Sequence, residues 1–320
     1  MKKMIFFLIL VILCLNVNSI YAKKWRVNNT GIPSDFTTAN AAVNSPLVSN
    51  GDTVYFESSM LSYGGLYLVK RLVIIGPGYF LGENDSTQAD LKPASFDQAT
   101  FSTGSNGTIV RGMTFTHTYN DLGASGITLE NNRIEGMSVN SGGSGNVIIR
   151  NYITTLSLTN TQNALVANNV IIKSAWNEVC FFIQTDASAT VLNNIFLGKV
   201  SIRNSVFRNN ICTLTAGQSP LFFSENSTVE NNIGASTQFG TTNGNQENVD
   251  MTTVFEFTGS SDGQYKLKAG SPAIGAGVGG TDCGMFGGNY PYILSGMVSG
   301  PSVWYLNMNG IEVTVKAKSH

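Results

Sequence analysis

The residues of this chain that could carry chemistry are few and scattered. His117 has Asp121 four residues further on, a pair able to act as general acid or base if a fold brings both to one substrate. The plainer alternative is a solvated loop histidine. Arg133 and Glu135 sit together and would face either a groove or bulk solvent, where an ion pair is worth little. Glu178 ends the stretch Lys173-Ser174-Ala175-Trp176-Asn177-Glu178. Trp176 in that stretch offers a flat face for sugar stacking, or else folds over its own loop. His117, Arg133, Glu135 and Glu178 are therefore the catalytic candidates, and Trp176 is the ligand-binding candidate. Arg111, Arg150 and Arg208 lie beside a repeated turn and read as surface residues. Cys180, Cys212 and Cys283 contain no Cys-x-x-Cys spacing, so no thiolate metal site is expected, and buried thiols are favoured over a bridge. Gly76-Pro77-Gly78 and Gly287-Gly288 read as turns rather than phosphate loops.

These residues must be positioned by a repeat. An asparagine pair returns after short β-branched runs, as in Leu129-Glu130-Asn131-Asn132, Val166-Ala167-Asn168-Asn169 and Val191-Leu192-Asn193-Asn194. Ile109-Val110-Arg111-Gly112 is an earlier copy. With Gly112 counted, the second position falls at 112, 132, 151, 169, 194, 210 and 232, a mean step of 20 residues. Such a period marks a solenoid. Asparagine and glycine both tolerate a left-handed bend between two strands. If coils stack about 4.8 Å apart, Asn132, Asn151, Asn169, Asn194, Asn210 and Asn232 lie above one another, and their amides can bond as a ladder. Met137-Ser138-Val139, Leu156-Ser157-Leu158 and Val200-Ser201-Ile202 alternate in-out-in. Phe181-Phe182-Ile183 and Leu221-Phe222-Phe223 take the same place, so the outward positions are Ser138, Ser157, Phe182, Ser201 and Phe222. No helical period separates the copies, and each coil is read as three short strands.

This pattern resembles the right-handed parallel β-helix proteins of the pectin-lyase-like superfamily over residues 45–290. Asp35 to Val43, followed by Gly51 to Phe56, resembles their capping helix and first strand. Tyr265 to Gly277 resembles a closing coil. Asp282-Cys283-Gly284-Met285-Phe286-Gly287-Gly288 is similar to a form common among Bacteroidetes members, many without an assigned activity. The resemblance implies an all-β, right-handed parallel β-helix with a short amino-terminal helix and a carboxy-terminal β-hairpin. A leucine-rich repeat shares the period, but here Val, Ile and Phe share the apolar positions and the asparagine is doubled. The resemblance also implies acidic polysaccharides as the substrates of catalytic relatives. Those relatives use an aspartate cluster with Gly-His-Gly and Arg-x-Lys, or acidic calcium ligands with an arginine base. This chain has no Asp-Asp pair, neither histidine is flanked by glycines, and none of the five outward positions is a carboxylate. Glycosidase chemistry needs two carboxylates about 5–10 Å apart, and calcium needs several oxygen ligands. No metal or other cofactor is expected, and calcium has no support.

Met1 to Ala22 reads as a secretory signal peptide, with Lys2 and Lys3 before the apolar stretch Met4 to Leu15. Cys14 lacks the small preceding residue of a lipidation site. Removal of residues 1–22 would leave 17 basic against 20 acidic residues, a net charge of −3. No basic run is present, which argues against nucleic acid, and no transmembrane span is expected in the mature chain. Residues 23–50 form the amino-terminal cap, 51–290 the β-helix and 291–320 a tail. Asn309-Gly310 signals a hairpin there, read as a cap on the open end or as a docking element. Residues 84–108 and 234–250 are polar and read as irregular connections. The expected function is carbohydrate interaction after export, to the periplasm, outer surface or exterior, without recognisable catalytic motifs. The alternatives are a lyase or hydrolase with a displaced site, and a structural or adhesive surface protein.

Overall fold

The structure is a computed structural model and describes residues 22–116, 120–140, 143–173, 178–215, 220–297, 301–309 and 312–319. The chain winds as a parallel β-helix. Ten parallel strands stack in the first sheet, from Lys24–Val27 and Thr53–Phe56 to Val206–Arg208 and Thr228–Glu230. The second sheet has fourteen strands in two lanes. The turn-side lane follows each asparagine pair and includes Val170–Ile172, Ile195–Leu197 and Ile211–Cys212. The far lane includes Gly65–Leu68, Gln98–Phe101, Val179–Ile183, Lys199–Arg203 and Phe222–Glu225. Arg133–Val139 and Tyr152–Leu158 run through both lanes. Residues 84–108 are more regular than their composition suggests, because Gln98–Phe101 joins the far lane and buries Ala99 and Phe101.

Strand alternation sends every second side chain inward. Val54, Ile74, Val110, Leu129, Ile148, Val166, Val191 and Phe207 follow one another in register down the first sheet, all fully buried. Phenyl rings stack across the interior, Phe181 on Phe196 at 5.3 Å and Phe196 on Phe207 at 5.5 Å.

The two members of each asparagine pair do different work. The first, at Asn131, Asn168, Asn193, Asn209 and Asn231, holds φ between 52° and 57°, and Arg150 holds 58°. Gly112 shares this first position rather than the second, since Arg111 pairs with Glu130 in register. Its only duty there is the bend, at φ 67°, which glycine meets without a side chain. Met113 stands at the ladder position, where its N–H donates to Asn132 Oδ1 at 3.0 Å. From Asn132 onward, each second asparagine donates its backbone N–H to the next one's Oδ1 at 2.8–2.9 Å. Each Nδ2 donates to the same oxygen and to a carbonyl of the preceding coil, as Asn169 does to Ile148. The ladder runs through Asn151, Asn169, Asn194, Asn210 and Asn232 and ends one coil later than expected, on Asn245. That residue lies within the stretch read as an irregular connection.

Residues 251–292 do not form a closing coil. They run back along the outside of the turn-side lane and build a second core. Val170, Ile195, Ile211 and Ile233 point outward from the solenoid, yet are buried against a cluster containing Val254, Phe255, Cys283 and Met285. The first asparagines fasten this strap. Asn168 Nδ2 donates to the carbonyls of Met285 and Gly287, Asn193 Nδ2 to Asp282, and Asn231 Nδ2 to Ala276. Asp262 is a buried anchor, accepting from Ser295 N–H at 2.7 Å, Ser260 Oγ at 2.9 Å and Asn84 Nδ2 at 3.0 Å.

The ends are closed differently. Helix Ala39–Asn44 covers the first coil with Ala39, Ala42 and Val43, and Thr38 Oγ1 caps its start by accepting from Ala41 N–H at 3.2 Å. At the far end, residues 235–255 supply the cover: Gln246 bridges Ile233, and Phe239 packs on Phe207 and Phe222. The hairpin Pro301–Asn309 with Glu312–Ser319 is instead a separate two-stranded sheet that pairs with no coil. Its expected role as the cap is thus filled by an earlier segment that continues the last coil directly.

Candidate functional site

With the turn-side lane covered by the strap, the far lane is, among the described residues, the open outer surface of the second sheet. Its outward column reads, in register, Tyr67, Thr100, Ser138, Ser157, Phe182, Ser201 and Phe223, with the backbone of Asp121 paired between Thr100 and Ser138. The column thus ends on Phe223 rather than Phe222. Phe222 pairs with inward-facing Val200 and packs on Phe207 at 5.3 Å, while Phe223 is 37% exposed. Two adjacent phenylalanines satisfy the same alternation, and the interior rings decide which turns in.

Phe182 and Phe223 lie two strands apart, roughly 9.6 Å along the stack. Ser201 between them leaves a notch, and Arg203 spans it. The Arg203 guanidinium lies 4.8 Å from the Phe223 ring centre and 5.8 Å from that of Phe182. It also donates to Glu225 at 3.0 Å, an arrangement that fixes both rings. Beside Phe182 a cavity of about 380 Å³ is lined by Ser138, Thr155, Ser157 and Val179, with Ser157 Oγ 3.2 Å from Ser138 Oγ. This face therefore offers hydroxyls, one exposed and one half-buried outward ring, and one ordered cation.

The described catalytic candidates each meet a near neighbour in sequence. Arg133 lies over Phe80 at 5.1 Å and approaches Glu135 to 3.8 Å, both half exposed. Glu178 pairs with Lys173 at 2.7 Å. His117 and Trp176 lie outside the described residues, as does the side chain of Asp121. Beside the turn, Glu130 accepts from both Arg111 and Arg150 at 2.8 Å, and Arg208 pairs with Glu230, so these arginines are held by carboxylates. No group of three or more His, Cys, Asp or Glu is gathered among the described residues. Cys180, Cys212 and Cys283 are free, and burial raises all three thiols, Cys283 to about 12, which keeps them protonated and unreactive. None of the described helices is long and apolar enough to cross a membrane.

Sequence reasoning missed the strap, Asn245 and the shift to Phe223. Only the strap left a signal: Val170-Ile171-Ile172 and Ile195-Phe196-Leu197 are apolar on both faces, as strands covered on both sides are. Set beside known proteins, the chain matches no family model, no curated protein and no solved structure.

Proposed function

We propose that this is an exported carbohydrate-binding β-helix, of the pectin-lyase-like kind, that holds a glycan chain along the open far lane without cleaving it. The observation that carries the reading is the pair of outward rings, Phe182 and Phe223, braced by Arg203 across Ser201. Two strand spacings, roughly 9.6 Å, approach the repeat of two sugar rings in an extended chain. A glycan running along the stack would then place alternate rings on the two phenyls. Ser138, Thr155 and Ser157 continue that line with hydroxyls able to donate and accept.

Isothermal titration against a panel of acidic and neutral oligosaccharides tests the proposal. Wild type should bind at least one, and Phe182→Ala or Phe223→Ala should each weaken binding about tenfold, near the upper end of an aromatic contact. Binding unchanged in the double variant, or absent from wild type, sinks the reading. A lyase or hydrolase is the alternative reading, and Asp121, whose backbone pairs with Ser138, is the carboxylate-bearing residue to test for it. Mass spectrometry of incubated polysaccharide, with Asp121→Asn as control, separates the two: fragments that disappear in the variant would make the face catalytic.

A further inference from the structure

A second cleft lies at the other end of the molecule. It has a volume of about 680 Å³ and sits on the outer surface of the first three strands of the first sheet. Its floor is an outward column, Arg26, Tyr55 and Ile75, in register across those strands. One wall is the loop carrying Ile32 and Asp35, and the other the loop carrying Gln88 and Asp90. The volume is that of small-molecule sites.

The charges around it are mostly spent. Arg26 is paired with Glu57 at 2.6 Å, and Glu57 also accepts from Asn28 Nδ2 at 2.8 Å. Asp90 is paired with Lys92 at 2.7 Å. Among the described residues, Lys24 Nζ and the Tyr55 hydroxyl have no partner, and Asp35 uses one oxygen to accept from Arg26 N–H at 2.8 Å. Two lining cations, with Lys92 neutralising Asp90 from outside the lining, then balance three carboxylates. A site with no net charge gives no advantage to an anion or a cation. What remains is an aromatic and aliphatic floor flanked by one free donor, one acceptor oxygen and one hydroxyl of either sense.

We infer that this cleft is a second binding site, for a neutral saccharide. Such a ligand has an apolar C–H face for Tyr55 and Ile75, and hydroxyls that accept from Lys24 and donate to Asp35. The site is separate from the far-lane face, which belongs to the other sheet and to later coils, and it does not depend on that face being a glycan site.

The test uses the full chain in a Phe182→Ala/Phe223→Ala background, which removes the rings of the other face. Saturation-transfer NMR and titration are run with cellotetraose, xylotetraose and mannotetraose, and with a galacturonic acid tetramer as the charged control. At least one neutral tetramer should bind and outcompete the acidic one. Tyr55→Ala should weaken that binding about tenfold and Lys24→Ala about threefold. Lys24 is exposed and partnerless, so its variant keeps the fold even if Tyr55→Ala does not. No neutral ligand bound, preference for the acidic tetramer, or indifference to both substitutions overturns the inference. Loss of binding in the double-phenylalanine background alone would instead assign all binding to the far lane.

Discussion

Asn194 sits mid-ladder with every polar atom engaged. Its Oδ1 accepts from the N–H and Nδ2 of Asn169, its own N–H donates to Asn210 Oδ1, and its Nδ2 reaches Val166 O, Leu192 O and Asn210 Oδ1. Asn194→Ala leaves two donors of Asn169 buried and unpaired, at about 1–3 kcal/mol each. Urea unfolding should therefore show a loss of roughly 3 kcal/mol or more; a change near zero would mean that water replaces the amide. The neighbouring Asn193 holds a left-handed backbone that glycine also adopts, and Asn193→Gly gives up only its bond to the strap and a long one from Asn209 Nδ2 at 3.4 Å, so it should cost less. At this scale the ladder was legible, because the bend and the amide both belong to the residue type. Asn245 was not, because the Gly244-Asn245-Gln246 turn follows no apolar strand. Phe222 and Phe223 could not be ordered either, since only the packing of Phe207 and Phe239 separates them.

The strap is the element whose stability should depend on pH. Tyr292 of the strap shares a hydroxyl–hydroxyl bond of 2.5 Å with Tyr79 of an early coil, and Asp262 lies 3.4 Å from the Tyr292 hydroxyl. Burial, reinforced by the Asp262 carboxylate, pushes both phenols well above their ordinary 10.0. A raised value in the fold means that the stabilisation is complete below pH 10. It declines above that, where the unfolded chain releases protons the fold retains. Urea unfolding followed at rising pH should thus show a flat stability up to about pH 9, a first fall as the unfolded chain ionises the thiols that Cys180, Cys212 and Cys283 keep protonated, and a further fall beyond about pH 10 from the two tyrosines. A fall that begins near neutrality would exclude these tyrosines as the cause. The turn-side strands announced a cover by being apolar on both faces. The strap itself did not, because it is rich in glycine and has no period of its own.

For the molecule as a whole, the repeat made the solenoid legible, whereas the closure of its ends and the amino-terminal cleft arise from loops with no repeat to read. The hairpin at 301–319 pairs with no coil, and residues 235–255 already cover the last one. Removing residues 298–320 should leave the melting temperature within about 2 °C, since among the described residues the hairpin strands pair only with each other. A larger fall would restore the hairpin to the role of a cap. The last ladder residue has a wider meaning. Asn132 to Asn232 each hand their donors forward to an acceptor on the following coil, so each newly made coil begins with bonds outstanding. Asn245 turns back, donating its N–H to Thr242 O at 3.1 Å and its Nδ2 to Thr242 O and Val229 O. The solenoid thereby carries its own stop signal. A coil duplicated anywhere before Asn232 would inherit an open bond and pass one on, while a coil appended after Asn245 would meet nothing waiting for it. Length in this protein is written as a count that can be edited from within but not extended from the end.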